Sequence, residues 1–348
     1  MSETVHVAEH AERAGPPPQP VSRRNALTLL RDALLRRREA SVLIVALALM
    51  AYFQVARPIF LTHDNLRNIA QATAPNAIVA TGIVLLLVSG EIDLSVGMTF
   101  ALAPFLMHYF ADFYNVPDIL AIVLALVVAS GIGWFNGFVP IVLRVPSFVA
   151  TLGTFYALQG FVLTTSHAYP AEIPKGMDGA IRNWLGSADW AELIWGLLIV
   201  LVFHVVLTRT RWGLHTISVG GNIIGATEAG IRARRIKIGN FMIASVLAGF
   251  AGIMEAFRVQ TIDPNLGGGA QIPFLAISAA VIGGTALAGG SGTVAGAFLG
   301  ALVLAELQNG FNLIGISANP YFLILGAAIL VSMVANQYLS RLRRTGRT

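Results

Sequence analysis

The chain has 348 residues, of which 55% are hydrophobic and only 12% charged, and its mean hydropathy is +0.71. A soluble chain is usually about a quarter charged, so this one cannot cover a water-facing surface and reads as an all-α integral membrane protein. The net charge of +5 does not indicate a nucleic-acid partner, because the basic residues fall in a few clusters between apolar runs, as topology signals do. The chain has no cysteine, which excludes disulfides and thiolate metal sites.

Residues 1–41 are polar, with Pro16-Pro17-Pro18 and the run Arg36-Arg37-Arg38. His6 and His10 have helical ligand spacing but lie in this tail, and no metal is assigned to them. No small-residue cleavage site follows the first apolar run, so a cytoplasmic, partly disordered tail is expected rather than a secretory signal. Residues 24–38 are compatible with a basic helix on anionic lipid and equally with a solvated tail that only sets orientation.

Apolar segments follow at about 41–57, 75–90, 94–111, 118–143, 147–166, 191–207, 240–258, 273–288, 293–310 and 319–337. Each approaches or reaches the roughly 20 residues that a membrane-crossing helix needs, which predicts about ten crossings; the 75–111 region is also compatible with one broken helix pair. The domain layout is then a basic tail at 1–41, a transmembrane unit at 42–338 with an inner loop at 208–239, and a basic tail at 339–348. With the N-terminus inside, the inner stretches carry all of the Lys and Arg except Arg57, Arg67, Lys175, Arg182 and Arg258. Translocating basic loops is disfavoured, so both termini are expected in the cytoplasm.

Small residues crowd the second half at Gly283, Gly284, Gly289, Gly290, Gly292, Gly296 and Gly300. Glycines at 292, 296 and 300 repeat every four residues on one helix face. Such faces allow close backbone approach between helices in lipid, either within the bundle or at a pore or dimer surface. The segments 80–103 and 279–302 share Ala, Ile, Gly and Gly at an offset of 199. Two repeated halves, a common transporter plan, remain open.

A phosphate-binding loop needs a Gly-Lys-Ser/Thr ending, but the only lysines are Lys175 and Lys237, after Pro174 and Ile236. There is no zinc-protease motif and no Gly-x-Ser-x-Gly elbow, so no catalytic residue is assigned and the chain is not read as an enzyme. Glu91 and Asp93 stand out in the stretch Val88-Ser89-Gly90-Glu91-Ile92-Asp93-Leu94-Ser95-Val96-Gly97, between two hydrophobic runs. Charges buried in a bilayer usually face a cavity or a partner. Ser89, Gly90, Glu91, Asp93, Ser95 and Gly97 are therefore candidates for a translocation path. Alternatively the acids lie in a cytoplasmic turn, with Asp93 capping the next helix. Glu255 and Glu306 sit near the ends of their runs. The inner loop carries Gly220, Gly221, Asn222, Glu228 and Gly230 before a basic stretch from Arg232 to Lys237. It reads as a docking element for a soluble partner or as a structured connector.

In order, these elements resemble the permease subunits of bacterial sugar importers of the ATP-binding cassette type, the ribose-type branch of a family that also holds branched-chain amino-acid permeases. The stretch Ser89–Gly97 resembles its Gly-Gly-x-Asp-Leu-Ser-Val-Gly signature, and Pro146-Ser147-Phe148-Val149-Ala150-Thr151-Leu152-Gly153-Thr154 its next motif. Val219–Asn222 through Ala229–Ile231 is similar to the loop that contacts the ATPase. Ile282–Thr285 with Ala288–Thr293, and then Gln308–Leu313, match two late motifs. The chain departs from the pattern at Ser89 and Glu91, and at Pro273-Phe274-Leu275, where many relatives carry Glu-Leu-Asp. The resemblance implies a dimer of permeases in the bacterial inner membrane, a cytoplasmic ATPase that uses the ATP, and a periplasmic sugar-binding protein. It implies no cofactor on this chain and leaves the sugar unassigned.

Overall fold

The computed structural model describes residues 38–177, 179–264, 271–316 and a few positions between 323 and 334. The tail at 1–37, the C-terminal basic tail and most of the expected crossing at 319–337 lie outside the described residues.

Among the described residues the regular structure is helical, with a single isolated bridge pairing Ala171 and Ile262. In chain order the α-helices of six residues or more are α1 (Arg38–Ala56), α2 (His63–Val88), α3 (Val96–His108), α4 (Asp118–Leu143), α5 (Ser147–Thr165) and α6 (Ala191–Arg209). There follow α7 (Arg211–Gly221), α8 (Ile223–Glu228), α9 (Ala233–Val259), α10 (Gln271–Ile282) and α11 (Val294–Leu313). Seven of them, α1, α2, α4, α5, α6, α9 and α11, are long and apolar enough to cross a membrane.

Helix ends fall where local chemistry puts them. Pro117 precedes α4 and Asp118 opens it, so an acid meets the positive end of the helix dipole. Before Pro146 an α conformation is disfavoured, and the chain turns there from α4 into α5. Two helices start earlier than the apolar pattern predicts. α2 begins at His63 rather than near residue 75, because Asn65, Ile69 and Ala70 are already packed inside. α9 begins at Ala233 rather than 240, so the basic stretch forms its first turns. Arg234 and Arg235 thus sit at a helix N-terminus, where the dipole disfavours cations.

Two expected crossings depart from a single long α-helix among the described residues. α3 has 13 residues and runs into a π-helical turn at Tyr109–Phe113. α10 has 12 described residues, a rise of about 18 Å against a hydrocarbon core of about 30 Å, and gives way to a non-helical turn at 283–293 rather than continuing to 288.

The core forms around α2 and α9. α4 lies on α9 through a stripe of small residues at Ala121, Ala125, Ala129, Gly133 and Gly137. A Cβ on Gly133 would sit 2.5 Å from the Phe241 carbonyl oxygen, so only a bare backbone fits. α3 meets α9 where Gly252 faces the Phe100 carbonyl, and α2 meets it where Gly82 faces Ala244. Lipid gives no hydrophobic drive between helices, so this closeness supplies the dispersion contacts that hold them together. α1, α4, α5 and α6 expose Leu47, Val127, Val149 and Leu201, as expected of faces solvated by lipid tails.

Candidate functional site

At one end of the bundle two turns and α7 converge. The first turn, Ser89–Ser95, leaves α2 through Gly90, whose φ of +80° suits a residue without a Cβ. Gly90 N–H donates to the Leu87 carbonyl at 2.9 Å and Glu91 N–H to the Leu86 carbonyl at 2.9 Å, a Schellman end that satisfies orphan carbonyls of α2. The next backbone donors find side chains instead. Ile92 N–H donates to Ser147 Oγ at 3.3 Å and Leu94 N–H to Thr151 Oγ1 at 3.2 Å. The Ser95 amide donates to Asp93 Oδ1 at 2.8 Å and the Ser95 hydroxyl does so at 2.6 Å. Asn136 Nδ2 in turn donates to Ser95 Oγ. Buried backbone donors must be paired, and here two side chains of α5 and the Asp93 carboxylate pair them. The Pro146–Thr154 motif thus serves the Ser89–Gly97 motif directly.

Ser89, Glu91, Asp93, Ser95 and Gly97 are all buried within the chain, whereas Gly90 is exposed. Asp93 Oδ1 holds the turn ahead of α3, while Oδ2 is buried without a hydrogen-bond partner. Glu91 accepts from Lys237 Nζ at 2.6 Å, and both side chains are about nine-tenths buried. The pair ties the turn to the second turn of α9.

The other turn, 283–293, also leaves its helix through a Schellman end. Gly284 has φ +90°, its N–H donates to the Val281 carbonyl, and Thr285 N–H donates to the Ala280 carbonyl. Gly283 and Gly296 lie backbone to backbone, and a Cβ on Gly300 would sit 2.1 Å from the Ala279 carbonyl oxygen, so α10 and α11 meet through glycines. Gly292 lies against Val88 and Thr285.

α7 joins the two turns. Thr210 caps it, accepting from Gly213 N–H, and Trp212 Nε1 donates to Asn240 Oδ1 at 2.9 Å. Asn240 Nδ2 donates to the Leu85 carbonyl on α2 at 3.3 Å. At the end of α7, a Cβ on Gly220 would lie 1.7 Å from the Val88 carbonyl oxygen and 2.8 Å from Gly290 N. Gly290 N–H donates to that same Val88 oxygen at 2.8 Å. Gly289 and Gly290, singled out with the helix-packing glycines, therefore pack on Gly220 and Gly221, singled out for the loop. Beyond this junction most of the chain is exposed, although Ala226 packs with Val219, Ala233 and Ile236. Asn222 caps α8 by accepting from Gly225 N–H at 3.0 Å, and Ile223, Ile224, Glu228 and Gly230 face outward. Gly230 has φ +82° and ends the α8 turn.

Charge is also buried elsewhere. Glu192, nearly inaccessible at the start of α6, lies 3.6 Å from Arg258, which also pairs with Glu255. Glu306 is fully buried two turns inside α11 rather than at its end. Sequence reasoning missed Ser147, Thr151 and Asn136 as partners of the first turn, and Lys237 as the partner of Glu91. Lys237 was open to notice as one of only two lysines. Its pairing across 146 positions leaves no local signal.

Residues 65–334 match the family described as branched-chain amino acid transport system, permease component. The chain belongs to that permease family. Among its relatives, the xylose/arabinose import permease protein XylH of Sulfolobus acidocaldarius is 35% identical, covering 88% of this chain and 87% of its own. The ribose import permease protein RbsC of Escherichia coli K12 is 32% identical over 86% of this chain and 93% of its own. The probable ABC transporter permease protein YphD of the same organism is 32% identical over 87% and 90%. No solved structure is a significant match. The permease is a multi-pass membrane protein and a transport component rather than an enzyme.

Proposed function

We propose that the permease is the membrane-spanning subunit of an ATP-binding cassette importer that moves a pentose, hexose or polyol into the cytoplasm by alternating access. The observation that carries this reading is similarity, along most of the chain, to permeases named for xylose/arabinose and ribose import. The family description also names branched-chain amino acids, which makes those the rival substrates. The functional unit is a pair of permeases, most simply two copies of this chain, in the bacterial inner membrane. Each pair works with two cytoplasmic ATPase domains, which hold and hydrolyse the ATP, and with a periplasmic sugar-binding protein.

In this reading the chain crosses ten times with both termini in the cytoplasm, and the end bearing α7 and α8 faces inward. Basic residues at 209, 211, 232, 234, 235 and 237 gather at that end, in accord with the positive-inside bias. The exposed α8, with Ile224 68% exposed, offers an apolar surface to the ATPase. Movement there passes through Gly220 to the ends of α2 and α10, and so to the path on which Ser89, Gly90, Glu91, Asp93, Ser95 and Gly97 act. Proteoliposomes containing the permease, its ATPase and its binding protein test this. ATP-dependent uptake of labelled ribose, xylose or arabinose, with none of leucine, is expected. Leucine uptake, or sugar flux that ignores ATP and collapses with an ionophore, would overturn it.

A further inference from the structure

Beside the first turn lies a cleft of about 710 Å³ between that turn, the α4–α5 corner, Ile223 and Thr227 of α8, and the start of α9. Its size falls in the range of about 300–1,000 Å³ common for small-molecule sites. Arg144, Arg234 and Lys237 line it, against the single carboxylate of Glu91. Glu91 is taken by Lys237, so the two guanidiniums have no carboxylate partner among the described residues and leave the cleft positive. The rest of the wall is largely apolar, with Pro140, Ile141, Val145 and Phe148. Next to it Leu143 and Val149 are exposed at the ends of two membrane-capable helices. Arg144 holds its place with φ +61°, a left-handed conformation that Gly or Asn adopts more cheaply.

We propose that this cleft binds the phosphate-bearing headgroup of an anionic phospholipid, with Arg144 and Arg234 on the phosphate and the acyl chains along Leu143, Phe148 and Val149. Guanidinium groups match phosphate oxygens with paired N–H donors, and basic pockets between membrane helices recognise anionic headgroups. An acidic peptide or free phosphate would satisfy the cations but leave the adjoining apolar face uncovered. A phospholipid satisfies both.

The full permease, assembled with its ATPase in nanodiscs of phosphatidylcholine and phosphatidylglycerol, tests the assignment. Spin-labelled phosphatidylglycerol should be immobilised in preference to phosphatidylcholine. The double variant Arg144→Gln with Arg234→Gln should weaken that preference on the order of tenfold, because both guanidiniums pair directly with the bound phosphate. Arg209→Gln with Arg211→Gln, both exposed at the same end but outside the cleft, should stay within about twofold of wild type. Should the double cleft variant aggregate, each single variant is expected to show a partial loss. Millimolar inorganic phosphate at matched ionic strength should not displace the lipid. Four results would overturn the proposal: no preference in the wild type, equal losses in both double variants, displacement by inorganic phosphate, or a cleft variant that keeps the lipid but no longer binds the ATPase.

Discussion

The two turns that meet at Val88 and Gly290 leave their helices in the same way and are then built from opposite materials. Gly90 and Gly284 both adopt positive φ and close equivalent Schellman ends. From there the 89–95 turn is held by side chains: Ser147, Thr151 and Asp93 accept its amides, and Glu91 anchors it to Lys237. The 283–293 turn is held by backbone, with Gly290 N–H on the Val88 carbonyl and glycines at each close approach. A turn pinned by polar side chains fixes where charge sits, whereas a bare one lets another backbone come into contact. The first is suited to handling a solute and the second to receiving α7.

Substitutions can separate these two kinds of construction. The largest loss of stability is expected at Gly220, where a methyl group would meet backbone atoms on α2 and the glycine turn that no rotamer change can move. Gly220→Ala should destabilise the permease on the order of 3 kcal/mol and abolish uptake. In Gly221→Ala the nearest atom to the added Cβ is at 3.8 Å, so it should unfold within about 0.5 kcal/mol of wild type in the same detergent-melting assay. Equal effects would argue that the junction is not packed as described.

Breaking the side-chain turn should cost less. Glu91→Gln leaves Lys237 nearly buried without its counter-charge, and about 2 kcal/mol of destabilisation is expected. Combining it with Lys237→Met should recover part of that loss, since a buried pair is often replaceable by apolar groups; a purely additive double variant would mean that the two side chains act independently.

Asp93→Ala removes the acceptor for two buried Ser95 donors, a loss of about 1.5 kcal/mol. Asp93→Asn keeps that acceptor and should preserve abundance in the membrane. If the carboxylate serves the path, Asn should nevertheless stop uptake; normal uptake at matched protein levels would leave Asp93 a purely structural part.

A modest effect is expected at Gly230, between those of Gly220 and Gly221. Nothing lies within 4 Å of an added Cβ there, and only its φ of +82° opposes a side chain. Gly230→Ala should therefore cost about 1 kcal/mol and leave the Val88–Gly290 contact intact. A loss as large as at Gly220 would mean that the exposed half of the loop is as constrained as the anchored half.

Much of the helix layout was legible because the chain punctuates it. α4, α5 and α6 match their apolar runs to within a few residues, bounded by Pro117, Pro146 and Thr210. The early starts of α2 and α9 were hidden because polar residues such as Asn65 and Lys237 read as loop yet pack against other parts of the chain. The shortness of α10 was hidden because hydropathy cannot see that Gly283 and Gly284 end a helix rather than pass through it. The motifs themselves were visible, but their assembly was not. Residues 88, 220 and 290 meet through backbone atoms, which no side-chain pattern reports. The offset of 199 pairs Gly97 with Gly296 and Gly90 with Gly289, whereas the helix-ending glycines are Gly90 and Gly284. The two turns thus differ in length, and one fixed offset cannot align both of their ends.

The account rests on α7 being joined backbone to backbone with both turns while α8 stays largely exposed, held mainly through Ala226. Amide hydrogen exchange of the wild-type permease, compared with Gly220→Ala, measures that directly. Slow exchange at the Gly290 amide, fast exchange across residues 224–230, and loss of the Gly290 protection in the variant are predicted. Exchange at Gly290 as fast as in α8, or unchanged by Gly220→Ala, would contradict the joint.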